Sequence, residues 1–236
     1  MLTVTPEHSM PETGPNTELL RSLGRLARGL SALFWGLPVA LIVCVQAAKT
    51  DAPERFGAVP PLVVTGWLVF GLWQLGHFQK QERVWMQVLD RAKLLALLDF
   101  GLSPFLYWWS QIPAQPFFTA VVGVMAVSGL LFLSNLNLML HRLSAMLPDE
   151  NLRQETKSFT TLNRILLLGI MLLGIAFLVV IRFPALVPLP VQFMALLDVG
   201  GLWLLLFFAL PPLAMTMALL WKIKEVILDS VFGAGH

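Results

Sequence analysis

Charge is the scarcest commodity in this 236-residue chain, since Asp, Glu, Lys and Arg together make up only 13%. A typical soluble domain carries about 25%. With 57% of residues hydrophobic and a mean hydropathy of +0.75, a soluble fold of this size would have to leave large apolar areas in water. An ordinary soluble enzyme and a disordered chain are therefore excluded. Cysteine occurs once, as Cys44 inside an apolar run, so neither an intrachain disulfide nor a cysteine metal cluster can form. The serine-hydrolase elbow, the zinc-protease helix, the phosphate-binding loop and the dinucleotide-binding glycine pattern are all missing. Histidine and acid do not approach metal-ligand spacing. No basic and aromatic stripe suggests nucleic acid. The composition points to no enzyme, no metal and no cofactor.

What the chain does have is long apolar runs. They cover Leu30–Ala48, Pro61–Phe78, Leu94–Trp109, Phe117–Leu140, Ile165–Ile181 and Val199–Trp221. About 20 residues of helix cross a hydrocarbon core of ~30 Å. The expected fold is therefore all-α: a polytopic membrane protein with six transmembrane helices and cytoplasmic amphipathic segments. Residues 1–20, polar and proline-bearing, read as a disordered cytoplasmic tail. Residues 21–232 read as one transmembrane domain, and 233–236 as a C-terminal tail. The polar leader is too long, and the first run too extended, for a cleaved signal peptide. The third run is the weakest, being short and holding Asp99 and Pro104. If it were re-entrant, five helices would cross.

Basic residues distinguish these topologies. With the N-terminus inside, six crossings place thirteen Lys and Arg in cytoplasmic segments: Arg21, Arg25, Arg28, Lys80, Arg83, Arg91, Lys93, Arg142, Arg153, Lys157, Arg164, Lys222 and Lys224. Only Lys49, Arg55 and Arg182 fall outside. This asymmetry obeys the positive-inside rule and predicts two cytoplasmic termini. Five crossings would lose it. The compact loops suit a bacterial inner membrane. Trp108 and Trp109 would mark the outer interface, and Trp85 and Trp221 the inner one.

Amphipathic stretches are expected between and after the runs. Gln79–Lys93 carries Val84, Val88, Leu89 and Ala92 at helical spacing and would continue the second helix into the cytoplasm and then turn into the third. After Pro148, a helix would bury Leu152, Thr156, Phe159 and Leu162. Ile223–Phe232 would be a third short piece. These segments would lie on the membrane surface, pack on each other or dock a partner. Two faint repeats also appear. Ala96–Gly101 resembles Ala195–Gly200, and Gly71, Gly76 and His77 align with Gly129, Ser134 and Asn135.

The candidate intramembrane polar site comprises Asp99, Asp198, His77, Gln74, Asn135 and Asn137. Asp99 and Asp198 are the acids that approach the hydrocarbon, each near a span end, with Arg91 or Lys93 as partners for Asp99. His77 and Gln74 on the second span would hydrogen-bond Asn135 and Asn137 on the fourth. Haem ligation by His77 and His141 is the remote alternative for those histidines. Pro38, Pro104, Pro211 and Pro212 fall near the middle of spans one, three and six and are expected to kink them.

The functional expectation is a non-catalytic integral inner-membrane protein, a subunit or accessory scaffold of a membrane complex. Its partners would be the lipid bilayer and other membrane-protein subunits. The alternative is a small secondary transporter or channel whose kinked helices 1, 3 and 6 surround a polar path including Asp99. A cysteine placed at either terminus should resist an impermeant maleimide in intact cells and react after permeabilisation; labelling of one terminus alone in intact cells would refute the six-crossing topology.

Overall fold

The computed structural model describes residues 15–49, 57–76, 82–112, 115–146, 150–182 and 191–232, with side chains described for most of them but not for 177–206. The described residues form helices without strands: α1 (Pro15–Lys49), α2 (Val59–Leu75), α3 (Arg83–Leu102), α4 (Pro104–Gln111), α5 (Pro116–Ala145), α6 (Glu150–Arg182) and α7 (Val191–Phe232). Helix starts follow the prolines. Pro60 and Pro61, Pro104 and Pro116 occupy the first positions of α2, α4 and α5, where the missing N–H costs nothing.

Four helical segments are long and apolar enough to cross a membrane: Arg21–Ala48, Pro116–Ala145, Thr156–Ala176 and Phe207–Asp229. The helix Val59–Leu75 is apolar but shorter. The third apolar run divides at Ser103 into α3 and α4, and its helix starts well before the run, at Arg83. From Arg83 onward, the stretch expected to lead from the second helix into the third is part of the third, while residues 77–81 lie outside the described residues. α1 begins at Pro15, inside the segment read as tail, and Ile223 and Ile227 are buried within an unbroken α7 rather than on a separate piece.

Consecutive helices pack on one another, α3 meets α5 beside the short α4, and α7 returns to α1. The result is a closed ring, with α7 also touching α5 across it. α2 and α5 do not pack together, nor do α3 and α7. Antiparallel register is fixed by specific neighbours: Gly29 and Gly36 of α1 lie against Leu75 and Leu68 of α2, and Gly76 and Gly66 lie against Lys93 and Phe100 of α3. The Trp109 indole donates to Thr119 Oγ1 at 3.2 Å, joining α4 to α5. The α5–α6 connection is too short for anything but antiparallel neighbours. The described basic residues of the thirteen therefore gather at one end of the ring.

The core comes from heptad-like stripes. In α1, Leu26, Leu30, Leu33, Leu37 and Ala40 are buried; in α3, Trp85, Leu89, Ala92 and Ala96. Of the α3 stripe expected, Val88, Leu89 and Ala92 are buried; Val84 is exposed, and Trp85, read as an interfacial marker, is fully buried in its place. In α6, Thr156 is buried as expected, but Leu162 is exposed and Asn163 takes the inward position. Trp35, Trp67, Phe70, Trp73, Leu97 and Leu172 point outward, so the exterior of the ring is as apolar as its core.

Close helix approach is made by glycine. A Cβ on Gly29 would stand 2.9 Å from the Gly71 carbonyl oxygen, which is backbone and cannot rotate away. Gly24, on the same helix, has open space around it. Gly29→Ala should therefore destabilise the fold by about 1–3 kcal/mol through overpacking. Gly24→Ala should be neutral or slightly stabilising. Thermal unfolding of the two variants in detergent checks the contrast.

Candidate functional site

Asp99 continues the buried stripe of α3. The inward positions run Trp85, Leu89, Ala92, Ala96, then Asp99 and Ser103. A carboxyl thus occupies a core position, with a relative exposure of 9%. Its neighbours place it near the middle of the adjoining helices rather than near a span end. Phe100 abuts Gly66, close to the centre of α2, and a Cβ on Gly129 of α5 would lie 4.0 Å from Asp99 Oδ2. Ser128 of α5 faces the carboxyl electrostatically but falls short of hydrogen-bond geometry. Asp99 Oδ1 is buried without a hydrogen-bond partner, as is Ser128 Oγ. Neither expected cation reaches it: Lys93 pairs with Asp90 at 3.3 Å one turn away, and Arg91 is exposed.

Pro104 explains the serine that follows Asp99 in the stripe. A proline at 104 removes the N–H that would bond the Phe100 carbonyl. Ser103 Oγ donates to that same carbonyl at 2.9 Å, so the break between α3 and α4 leaves it satisfied. The hydroxyl of Thr65 on α2 stands 3.3 Å from Ser103 Oγ and donates to the Pro61 carbonyl at 2.7 Å. The pair is fully enclosed. Both protons have close carbonyl acceptors, so the break is polar yet saturated.

A second polar cluster joins α5, α6 and α7. Thr216 lies one turn beyond Pro212 and donates to its carbonyl at 2.7 Å. The same hydroxyl accepts from Asn137 Nδ2 and from Asn163 Nδ2, each at 3.0 Å. Asn137 spends its other amide hydrogen on the Leu133 carbonyl at 2.8 Å, and Asn163 on the Pro212 carbonyl at 3.2 Å. All three side chains are almost completely buried, and Asn163 Oδ1 is left without a partner.

These positions revise several expectations. Asn137 does cross-link helices, but to α6 and α7; α2 and α5 are not neighbours, so the bonds from Gln74 do not form. Gln74 is half-buried on α2. Asn135 bonds the Leu131 carbonyl of its own helix at 2.9 Å. His77 lies outside the described residues, and Asp198 falls within α7 with its side chain outside them. Pro38, Pro211 and Pro212 sit inside uninterrupted helices, whereas Pro104 starts a new one. Of the proline-bearing helices, α1 touches both α7 and α4, and no contact of α3 with α7 occurs among the described residues. Asn163 and Thr216 were missed. Their signal was a lone amide at the head of an apolar run, and a threonine four residues after proline, the spacing of a hydroxyl-to-carbonyl bond.

Among the described residues, no group of three or more His, Cys, Asp or Glu could hold a metal ion. Cys44 is a free, half-buried thiol. No protein-family model, curated protein or solved structure matches the chain.

Thr216→Val keeps the shape of the side chain but removes one donor and the acceptor shared by both amides. It should lower stability by about 1–3 kcal/mol, the cost of stranding buried polar groups. Thr65→Val should cost less, because the Thr65 hydroxyl lies closest to the Pro61 carbonyl of its own helix and stands at 3.3 Å from Ser103 Oγ. Unfolding of both variants in a mixed-detergent titration checks the order.

Proposed function

We propose that all six apolar runs cross the membrane, and that the chain is a non-catalytic integral membrane protein acting as a subunit or accessory scaffold of a membrane complex. The carrying observation is that the buried polar groups are mostly spent on holding helices together. Thr216, Asn137 and Asn163 consume every amide hydrogen they own within the bundle. Ser103 and Thr65 seal a proline break. Residues so occupied lock a scaffold rather than handle a substrate. The apolar exterior offers a long perimeter on which other membrane helices, or lipid, can pack. The α3–α4 rod counts as the third crossing, because its antiparallel neighbours α2 and α5 run beside it along its length. Basic residues at one end of the ring orient that end, with both termini, toward the cytoplasm. The bacterial inner membrane is the setting that best fits the short connections.

One observation favours the second reading, a small transporter or channel. Asp99 is enclosed in the last turn of α3, opposite the centre of α5, with Oδ1 unpartnered and the Ser128 hydroxyl of α5 also unpartnered. An acid in such surroundings is costly unless neutral or engaged, and membrane proteins retain such groups on ion and proton routes.

Affinity purification in mild detergent should recover a second membrane protein at fixed stoichiometry, counted by native mass spectrometry. A clean homogeneous monomer would overturn the subunit reading. Asp99→Asn separates the alternatives, because it preserves shape and removes the acid. Unchanged complex recovery and an unchanged cellular phenotype are expected of a scaffold. Loss of phenotype with the complex and fold intact would establish the transport reading instead.

A further inference from the structure

The groove between α5 and α6 contains a cleft of about 180 Å3 lined by Ser134, Asn135, Asn137, Leu138, Thr160, Arg164 and Leu167. Its polar lining is rich in hydrogen-bond donors and contains no acid. Arg164 is exposed and carries no ion pair among the described residues. Thr160 Oγ1 is a buried hydroxyl without a partner. Asn137 commits both amide hydrogens, to the Leu133 carbonyl and Thr216, and Asn135 commits one, to the Leu131 carbonyl, so the donors free to bind are the guanidinium, the Thr160 and Ser134 hydroxyls and the second Asn135 hydrogen. A planar guanidinium with adjacent hydroxyls is the donor set that recognises a phosphoryl group, which offers several acceptor oxygens.

The surroundings extend the match. Arg164 stands at the point where α6 turns from charged to apolar, on the basic end of the ring. From the cleft toward the other end, the same faces become exposed and apolar. On α5 the seven-residue steps from Leu138 reach Leu131 and Val124, and on α6 Arg164 is followed by Leu168 and Ile175, all exposed. A cation-bearing polar cleft at the interface, continued by an apolar strip along a helix groove, has the outline of one phospholipid: headgroup below, acyl chain above.

We infer that the α5–α6 cleft binds the phosphate headgroup of an anionic phospholipid, with Arg164 as its cation and Thr160 and Ser134 as hydrogen-bond donors. The inference rests on the membrane reading above and adds a ligand to it. Full-length protein, delipidated in neutral detergent, is titrated with phosphatidylglycerol, phosphatidylcholine and inorganic phosphate while its melting temperature is followed. Phosphatidylglycerol should stabilise the wild type well above phosphatidylcholine, and phosphate alone should not. Arg164→Gln should weaken that binding by about fivefold or more, at least the share of one basic residue at an anionic surface. Arg142→Gln removes an exposed charge at the same end but off the cleft, and should change binding by less than about twofold. Thr160→Val, with charge unaltered, should also weaken it.

Equal effects of the two arginine variants would overturn the cleft in favour of a diffuse basic surface. Protection by inorganic phosphate as strong as that by phosphatidylglycerol would overturn the lipid in favour of a free anion. Absence of any preference over phosphatidylcholine would overturn the site altogether. Alkaline carbonate extraction of the same cells keeps the two levels apart. Release from the membrane would refute the membrane reading itself, whereas retention without lipid preference refutes only the cleft.

Discussion

The hydroxyl of Thr216 holds three helices in register. It has one proton and two acceptor sites, and each is used: the proton on the Pro212 carbonyl, the acceptor sites on amides from α5 and α6. In surroundings without water, a carboxamide that loses its partner cannot find another. A shift of any of these helices by a single residue would turn one amide away from the hydroxyl and strand it. Apolar packing alone tolerates such sliding, because one leucine fits much like the next. The polar cluster converts a greasy contact into a specific one, and the closure of the ring through α7 depends on it.

The rest of the polar interior divides by whether its capacity is used. Ser103 answers the carbonyl that Pro104 abandons, and Thr65 packs beside it with its own proton already committed. Such groups are structural by their stoichiometry of donors and acceptors. Asp99 is different, since it occupies a position of the same stripe with acceptor capacity to spare. Among the described residues, the bundle therefore combines the saturated joint at Ser103 and Thr65 and the cluster around Thr216, where only Asn163 Oδ1 is left over, with one enclosed acid, Asp99, whose Oδ1 has no partner.

The helical class, the apolar segments and the gathering of basic residues at one end were all legible in the sequence, because composition and periodicity act over many residues at once. Asn137 was legible as a cross-link, since a buried amide in an apolar helix needs a partner. Which partner was not legible, because helix neighbours are set by ring order, and α2 and α5 turned out to be separated. The depth of Asp99 was misjudged for a local reason. The charged first turns of α3 looked like a surface segment, yet they carry the stripe that starts at Trp85, and the depth of Asp99 is set by its neighbours, Gly129 of α5 and, through Phe100, Gly66 of α2. Gly29 escaped notice because it precedes the first apolar run, although it makes the tightest backbone approach to α2.

The pairing of α1 with α7 carries a consequence for how the molecule comes to exist. A ring closed through α1 and α7 cannot form until α7 has been made. Leu30, Leu33 and Leu37 emerge early, but the face of α1 that α7 covers has no occupant until the final helix leaves the ribosome. During that interval the nascent chain is an open crescent with an unsealed edge. The α1–α7 contact has the greatest sequence separation of the helix pairs and so carries the largest loop-closure cost. Until that contact forms, the interior of the bundle lies open along the α1 edge.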